Sequence, residues 1–238
     1  MTIKVSVVGA SGRMGKLALE LIDAAQDMSL HSMLDSKSNL SETSGADVIF
    51  DVTRLEVSSQ VVQQALDSGI AVVVGTSGWS AGKLAELEAD VSKTDGTAVV
   101  IPNFSVGSML ATRFAAEAAK HFSSIEIVEA HHANKIDSPS GTSIRTAELI
   151  SKSRGSNPLV VGADQEARGQ IVAGVPVHSL RLAGVSAKQD VLLGGDSELL
   201  TISHETTSVY AYSAGILASI RFAAANKGLF VGLETVLA

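Results

Sequence analysis

The stretch from Ile3 to Gly15 limits the possible folds more than any other part of the chain. Ile3-Lys4-Val5-Ser6-Val7-Val8 is a short, nearly continuous apolar run of the kind that a parallel sheet buries on both faces. It stops at Gly9-Ala10-Ser11-Gly12-Arg13-Met14-Gly15, after which Leu17, Leu21 and Ile22 recur at helical spacing. Glycines between a strand and a helix let the backbone approach a pyrophosphate at the helix N-terminus. The spacing is G-x-x-G-x-x-G rather than G-x-G-x-x-G, so on its own a turn that merely packs helix on strand explains it too. A P-loop does not fit, because Ala10 and Leu17 stand where glycine and a hydroxyl are required.

A second signal joins the first. Asp35 follows the strand-like Ser29-Leu30-His31-Ser32-Met33-Leu34 and lies 20 residues beyond Gly15 (35 − 15), where an acid that binds ribose hydroxyls is expected. Further strands read at Asp47–Thr53, Ile70–Val74 and Thr97–Ile101, separated by amphipathic helices around Val57–Leu66 and from Ala81 to Lys93. That alternation predicts an α/β domain built on a parallel sheet. Gly75-Thr76-Ser77-Gly78 is a small-residue loop at a strand's carboxyl end, where open parallel sheets bind ligands; an ordinary turn is the plainer alternative.

Pro102-Asn103-Phe104-Ser105-Val106-Gly107 leaves this sheet, and the rhythm changes. We expect a nucleotide-binding domain over 1–105, completed by 213–238, and a smaller α+β domain over 106–212. The second domain should open with a helix from Ser108 to Phe122 and carry strands at Ser124–Ala130, Val177–Ala183, Lys188–Leu193 and Glu198–His204. Gly184-Val185-Ser186-Ala187 and Gly194-Gly195-Asp196-Ser197 read as hairpin connections, which predicts a mixed or antiparallel sheet. Helices can cover one face of such a sheet; the other face needs a cover, which points to assembly of copies. A last helix, Ser213 to Asn226, bears Ile216, Leu217, Ile220 and Phe222, is closed by Gly228 and returns to the first domain.

The unusual polar chemistry of the chain is concentrated in Glu129-Ala130-His131-His132-Ala133-Asn134-Lys135-Ile136-Asp137-Ser138-Pro139-Ser140-Gly141-Thr142. The segment leaves a strand, passes a polar turn and enters a helix capped by Ser140 or Thr142, whose N-terminus attracts anions. A His-His pair alone is more often one packed and one solvated ring, and Lys135 alone a surface cation. Two imidazoles, an ammonium and a helix N-terminus in one loop together favour a negatively charged ligand and proton delivery near neutral pH. Metal binding is disfavoured: His31, His121, His178 and His204 lie without ligand spacing, and there is no cysteine.

Composition narrows the function further. Aromatics make up 4% against 45% hydrophobic residues, so the core is aliphatic and ligand stacking is a poor expectation. The formal charge of −7 argues against a nucleic-acid surface. Met1-Thr2-Ile3-Lys4-Val5 enters a strand without a basic leader, no apolar run approaches a membrane span, and cysteine is absent; the expectation is a cytoplasmic protein.

Glu-x-His-His-x-x-Lys-x-Asp-x-Pro-Ser-Gly-Thr resembles the signature of the 4-hydroxy-tetrahydrodipicolinate reductase family, and Gly-Ala-Ser-Gly-Arg-Met-Gly, Gly-Thr-Ser-Gly and Pro-Asn-Phe-Ser extend the likeness over nearly the whole chain. The resemblance implies a Rossmann-type domain and reduction of a cyclic dicarboxylate by a nicotinamide nucleotide on the diaminopimelate route to lysine, in a homotetramer. It implies that Gly9, Ala10, Ser11, Gly12, Arg13, Met14, Asp35, Gly75, Thr76, Ser77, Ile101, Pro102, Asn103 and Phe104 contact the nucleotide. His131 and Lys135 are then the proton-delivering residues, with their division of labour open, and His132, Gly141 and Thr142 hold the substrate. Departures are Ser138 for the family's alanine, Arg54, Trp79, Val209 for arginine near the end of the fourth strand of the second domain, and Tyr212 for phenylalanine.

Two other classes fit less well. A short-chain dehydrogenase would need a Tyr-x-x-x-Lys pair that is absent, and a nucleotide-sensing binding protein would have no need for His131, His132 and Lys135 together. Both NADH and NADPH are expected to serve, with NADH preferred, because Asp35 is followed by the uncharged Ser36 and only then by Lys37. The nucleotide motifs and the His-His loop fall on different predicted domains, so closure about Asn103–Gly107 and a crossing near Ser213 is expected.

Overall fold

The computed structural model describes residues 2–163 and 165–238; Met1, with which the expected first-strand segment begins, lies outside them. The chain divides into two compact units, Met1–Val106 with Tyr212–Ala238, and Gly107–Ala211. The first contains β1 (Ile3–Val8), α1 (Arg13–Ala24), β2 (Met28–Leu34), β3 (Val48–Asp51), α2 (Leu55–Asp67), β4 (Ala71–Val74), α3 (Ala81–Thr94) and β5 (Thr97–Val100). The second contains α4 (Val106–Ala118), β6 (Ser124–His131), α5 (Gly141–Arg154), β7 (Gln170–Val172), β8 (Val175–Arg181), β9 (Ala187–Gly194) and β10 (Leu199–Thr206). The chain then returns to the first unit with α6 (Ser213–Ala225), β11 (Gly228–Val231) and α7 (Leu233–Val236).

The first sheet runs β11-β5-β4-β3-β1-β2 with every neighbouring pair parallel. Its inner strands are apolar because both faces are covered: Val48, Ile49, Phe50, Val72, Val73 and Val74 are all 0% exposed. Register brings Val8 beside both Leu34 and Asp51, Asp51 beside Val74, and Val74 beside Val100. The loops that begin at Gly9, Asp35, Val52, Gly75 and Ile101 therefore emerge side by side at one edge of the sheet.

Two glycines make the first loop possible. Gly9 has φ +89°, and a Cβ there would lie 2.8 Å from the Val52 carbonyl oxygen. At Gly15, in the first turn of α1, a Cβ would lie 2.2 Å from the Gly9 carbonyl oxygen and 2.7 Å from Ala10 Cα. The helix can approach the loop this closely only without a side chain.

In the second unit the sheet order is β10-β9-β6-β8-β7, so β6 is central, antiparallel to β9 and parallel to β8. Ile125, Ile127 and Glu129 point to the face covered by α4 and α5, where Ala115, Ala147, Ile150, Val177, Val191 and Leu193 complete an aliphatic core. The reverse face carries Glu126, Val128, His178, Leu180, Lys188 and Asp190.

Three expectations need correction. Gly184–Ala187 does not join a hairpin, because β6 occupies the place between β8 and β9; the hairpins are β7–β8 and β9–β10. Gly228 does not close α6 but starts β11, which adds to β5 as a sixth parallel strand. The helix expected to reach Phe122 ends at Ala118, its last turn tightening where His121 N bonds Ala118 O at 3.0 Å. Val209, expected near the end of the fourth strand of this unit, lies just past β10 in a 3-10 turn, Val209–Tyr212.

Replacing Gly15 by alanine should cost about 1–3 kcal/mol through overpacking, because the obstructing atoms are backbone. Thermal unfolding with and without a dinucleotide checks this: both stability and the ligand-induced rise in Tm should fall. An unchanged Tm would show that the close approach is not required.

Candidate active site

Backbone hydrogen bonds shape the loops at the edge of the parallel sheet. Gly9 N and Ala10 N both donate to Leu34 O at 3.0 Å, tying the glycine loop to the end of β2, and Gly12 N donates to Gly9 O at 3.0 Å. Gly12 caps α1 without a side-chain hydrogen bond, so the N–H groups of the first turn face outward past a residue that adds no bulk. Ser11, Gly12 and Arg13 are exposed and Met14 is half-buried. Asp35 stands exposed beside this loop, its Oδ1 accepting Lys37 N at 2.8 Å.

The neighbouring loops rest on a carboxylate that sequence reasoning passed over. Asp51, 0% exposed at the end of β3, accepts Thr53 Oγ1 at 2.6 Å, Thr76 Oγ1 at 3.3 Å and the Ser58 hydroxyl. Burial pushes its carboxyl above the usual aspartate range, against the hydroxyl bonds that pull it down. Gly75 lies against the Phe104 ring, 2.6 Å from where a Cβ would sit, and Phe104 packs on Phe50 with ring centroids 5.5 Å apart. Ile101 and Phe104 are buried supports; Ser77 and Pro102 are exposed, and Asn103 is half-buried with its Oδ1 accepting Ser105 N at 2.9 Å. The structure thus gathers Gly9 to Met14, Asp35, Gly75 to Ser77 and Ile101 to Phe104 along one edge of the first unit.

In the second unit the signature loop leaves β6 after His131 and ends at α5. Strand alternation puts Glu129 on the core face, where it is 0% exposed, and Arg181 from β8 meets it as a fork: Nη1 to Oε2 and Nη2 to Oε1, both at 3.0 Å. Ser140 N donates to Glu129 Oε1 at 3.2 Å, and His131 Nδ1 lies 2.5 Å from Oε2. Arg181 Nη2 also donates to Asp137 O at 2.6 Å, while Asp137 Oδ1 accepts Lys135 Nζ at 2.8 Å. Ser140 caps α5, accepting Ser143 N at 3.2 Å. Gly141 opens the helix with no heavy atom within 4 Å of the place a Cβ would take, and Thr142 follows half-buried. His132 is exposed, and its carbonyl accepts Lys135 N at 3.0 Å.

Burial works against the Glu129 charge, but Arg181 above all, with Ser179 and His131, more than offsets it and holds the carboxyl below the usual glutamate range. Burial pushes His131 down; Glu129 pulls it up, and Lys135 and Arg181 push it down again, so it titrates below an ordinary imidazole. Lys135 holds the Asp137 carboxyl low. The loop thus offers a lysine ammonium and an imidazole beside an uncrowded helix N-terminus. Arg181 was missed because nothing local marks it: only the parallel register that sets His131 beside Arg181 brings it here. Among the described residues no group of three His, Cys, Asp or Glu is placed to hold a metal ion.

Residues 3–104 match the family described as dihydrodipicolinate reductase, N-terminus, and residues 107–237 match dihydrodipicolinate reductase, C-terminus. The 4-hydroxy-tetrahydrodipicolinate reductase of Clavibacter sepedonicus is 53% identical over 240 residues, covering 100% of this chain and 87% of the relative. The protein of the same name from Beutenbergia cavernae is 40% identical, covering 100% of this chain and 99% of its own. Among solved structures, dipicolinate-bound dihydrodipicolinate reductase from Paenisporosarcina sp. TG-14 superposes with a TM-score of 0.84 at 30% identity, covering 99% of each chain. GenD2 from gentamicin A biosynthesis, solved with NAD, shares the fold at a TM-score of 0.62 and 13% identity, over 92% of this chain and 84% of its own.

The depressed groups set a pH dependence. Stability gained from neutral His131 is present above its ordinary value of 6.5 and is lost as pH falls through the lower folded value; His204, also pushed down by burial, acts in the same direction. Glu129 contributes above 4.5 and loses that contribution as pH falls through its own depressed value. Tm should therefore decline in two stages on acidification, with a smaller first stage in His131→Gln. A Tm that is flat until the carboxylates protonate would contradict the assignment.

Proposed function

This chain belongs to the dihydrodipicolinate reductase family, and from that premise we propose that it reduces 4-hydroxy-tetrahydrodipicolinate, by way of dihydrodipicolinate, to tetrahydrodipicolinate with NADH or NADPH, on the diaminopimelate route to lysine. The observation that carries the reading is the union, in one loop of the second unit, of Lys135, His131 and the open start of α5 at Gly141. A cyclic dicarboxylate imine needs what this loop offers, namely a proton donor and donors for an anion.

The unit Met1–Val106 with Tyr212–Ala238 holds the nucleotide, and Gly107–Ala211 binds substrate and mediates assembly. The glycine loop can take a shape that suits a dinucleotide because Gly9 and Gly15 lack side chains, which would collide with the backbone of Val52 and of Gly9 and Ala10. Gly9, Ala10, Ser11, Gly12, Arg13 and Met14 surround the pyrophosphate, Asp35 takes the ribose hydroxyls, and Gly75 to Ser77 with Ile101 to Phe104 flank the nicotinamide end. Bound there, the reduced nicotinamide supplies hydride to C4 of the substrate ring. The chain's own task is then to protonate the resulting enamine at C3, which falls to Lys135 and His131. His132, Gly141 and Thr142 hold a carboxylate.

Assembly follows from the uncovered face of the second sheet, where Leu180 is 45% and Leu199 66% exposed; we assign that face to a homo-oligomer, a tetramer as in the family pattern. No described helix is long and apolar enough to cross a membrane, and the enzyme is assigned to the cytoplasm.

The direct test is oxidation of NADH or NADPH with freshly condensed pyruvate and aspartate semialdehyde; no turnover with either would refute the function. In that assay His131→Gln should keep nucleotide binding and lose about 10²- to 10⁴-fold in kcat, roughly 3–5 kcal/mol of transition-state stabilisation. Lys135→Ala should lose kcat and raise KM together, since it removes a cation as well as a donor.

Asp35 sets the cofactor preference. Its carboxylate faces the solvent with one oxygen held by Lys37 N, and a 2′-phosphate placed there would meet that charge. NADH should be preferred by kcat/KM, and Asp35→Ala should move the ratio toward NADPH. A wild-type enzyme strongly favouring NADPH, or an unchanged ratio in the variant, would show that another group decides.

A further inference from the structure

We propose that Glu129 and Arg181 form a positioning pair that fixes His131 in a single tautomer, with the proton on Nδ1 and the Nε2 lone pair turned away from the strand, and at the same time anchors the Lys135 turn. The inference rests on the reductase reading for its kinetic part only.

Three geometric facts carry it. Glu129 is 0% exposed and accepts from both terminal nitrogens of Arg181 at 3.0 Å and from Ser140 N at 3.2 Å, so it is held as a carboxylate and can only accept. His131 Nδ1 lies 2.5 Å from Oε2 of that carboxylate, and an acceptor so close requires a hydrogen on Nδ1. The same Arg181 reaches Asp137 O at 2.6 Å, and Asp137 in turn holds Lys135 Nζ at 2.8 Å. One guanidinium therefore ties both proton-handling residues to a common frame.

The charged groups facing His131 are Glu129 on its own strand, Arg181 on β8, and Lys135 in the following turn, with Asp137 neutralising Lys135. With Nδ1 committed to Glu129, neutral His131 presents an acceptor at Nε2, and the hydrogen donor available without a change of protonation is Lys135. Glu129 and Arg181 touch neither substrate nor nucleotide in this scheme. They act through His131 and the loop.

The test begins with the wild-type chain. Its His131 imidazole nitrogens, identified by loss of their signals in His131→Gln, should show Nδ1–H and an unprotonated Nε2 above the titration; an Nε2–H tautomer overturns the proposal. In Glu129→Gln the amide oxygen keeps the place of Oε1, which accepts from both Arg181 Nη2 and Ser140 N, so the Nη1 bond is lost, the NH2 turns toward Nδ1, and His131 should be driven to the Nε2–H form. Turnover should then fall about 10²- to 10⁴-fold with KM within about twofold, as expected when a carboxylate that orients a histidine is lost. Arg181→Met should lose kcat, and Arg181→Lys, which keeps charge without the fork, should recover it only in part. Wild-type kcat in Glu129→Gln, or a loss with the tautomer unchanged, also overturns it. An Nδ1–H wild type and a flipped variant in a chain without reductase turnover would sustain the positioning pair and sink the reductase reading instead.

Discussion

The second unit depends on one constraint: a carboxylate with no solvent exposure must be compensated. Removing Glu129 from water is costly, and an uncompensated buried charge typically destabilises a fold by about 3–5 kcal/mol. Arg181 meets the requirement with a fork, and Ser140 N adds a donor from the start of α5. Each partner belongs to a different element, so satisfying the charge also joins β6, β8 and the helix N-terminus. The signature loop is held at both ends because of it.

The first unit has a buried acid in the analogous place, at the carboxyl end of an inner strand, and solves the same problem differently. Asp51 is surrounded by the hydroxyls of Ser58, Thr53 and Thr76 and, among the described residues, by no cation. Hydroxyls stabilise a carboxylate less than a guanidinium does, so burial prevails and the carboxyl is pushed up, whereas Glu129 is held down. One acid braces two loops at the edge of the parallel sheet; the other holds a guanidinium and an imidazole nitrogen.

Strand β6 shows how period-two alternation distributes chemistry. Glu129 faces the core and meets Arg181 and His131. Three positions earlier, and so on the opposite face, Glu126 meets Arg168 and His178, the latter with Nε2 2.7 Å away. The residue types are the same, but Glu126 is partly exposed, and its salt bridges are screened by solvent. Burial separates a positioning device from an ordinary surface cluster.

Much of this was legible from residue order alone. Aliphatic runs alternating with amphipathic helices specify a parallel sheet because strand and helix periods are local and burial on both faces demands continuous apolar strands. The glycine loop, Asp35 and the His-His loop stood out as candidate sites because turns and caps depend on residues a few positions apart. What stands next to what across a sheet is another matter. Glu129 and Arg181 are 52 positions apart, and their meeting requires β6 to take the place between β8 and β9 that hairpin spacing assigned to a β8–β9 turn. Gly228 likewise reads as a helix stop until β5 offers it an open edge. Alternation states which face a side chain occupies but carries no address for its neighbour, so the tertiary pairing alone decided which cation would compensate Glu129.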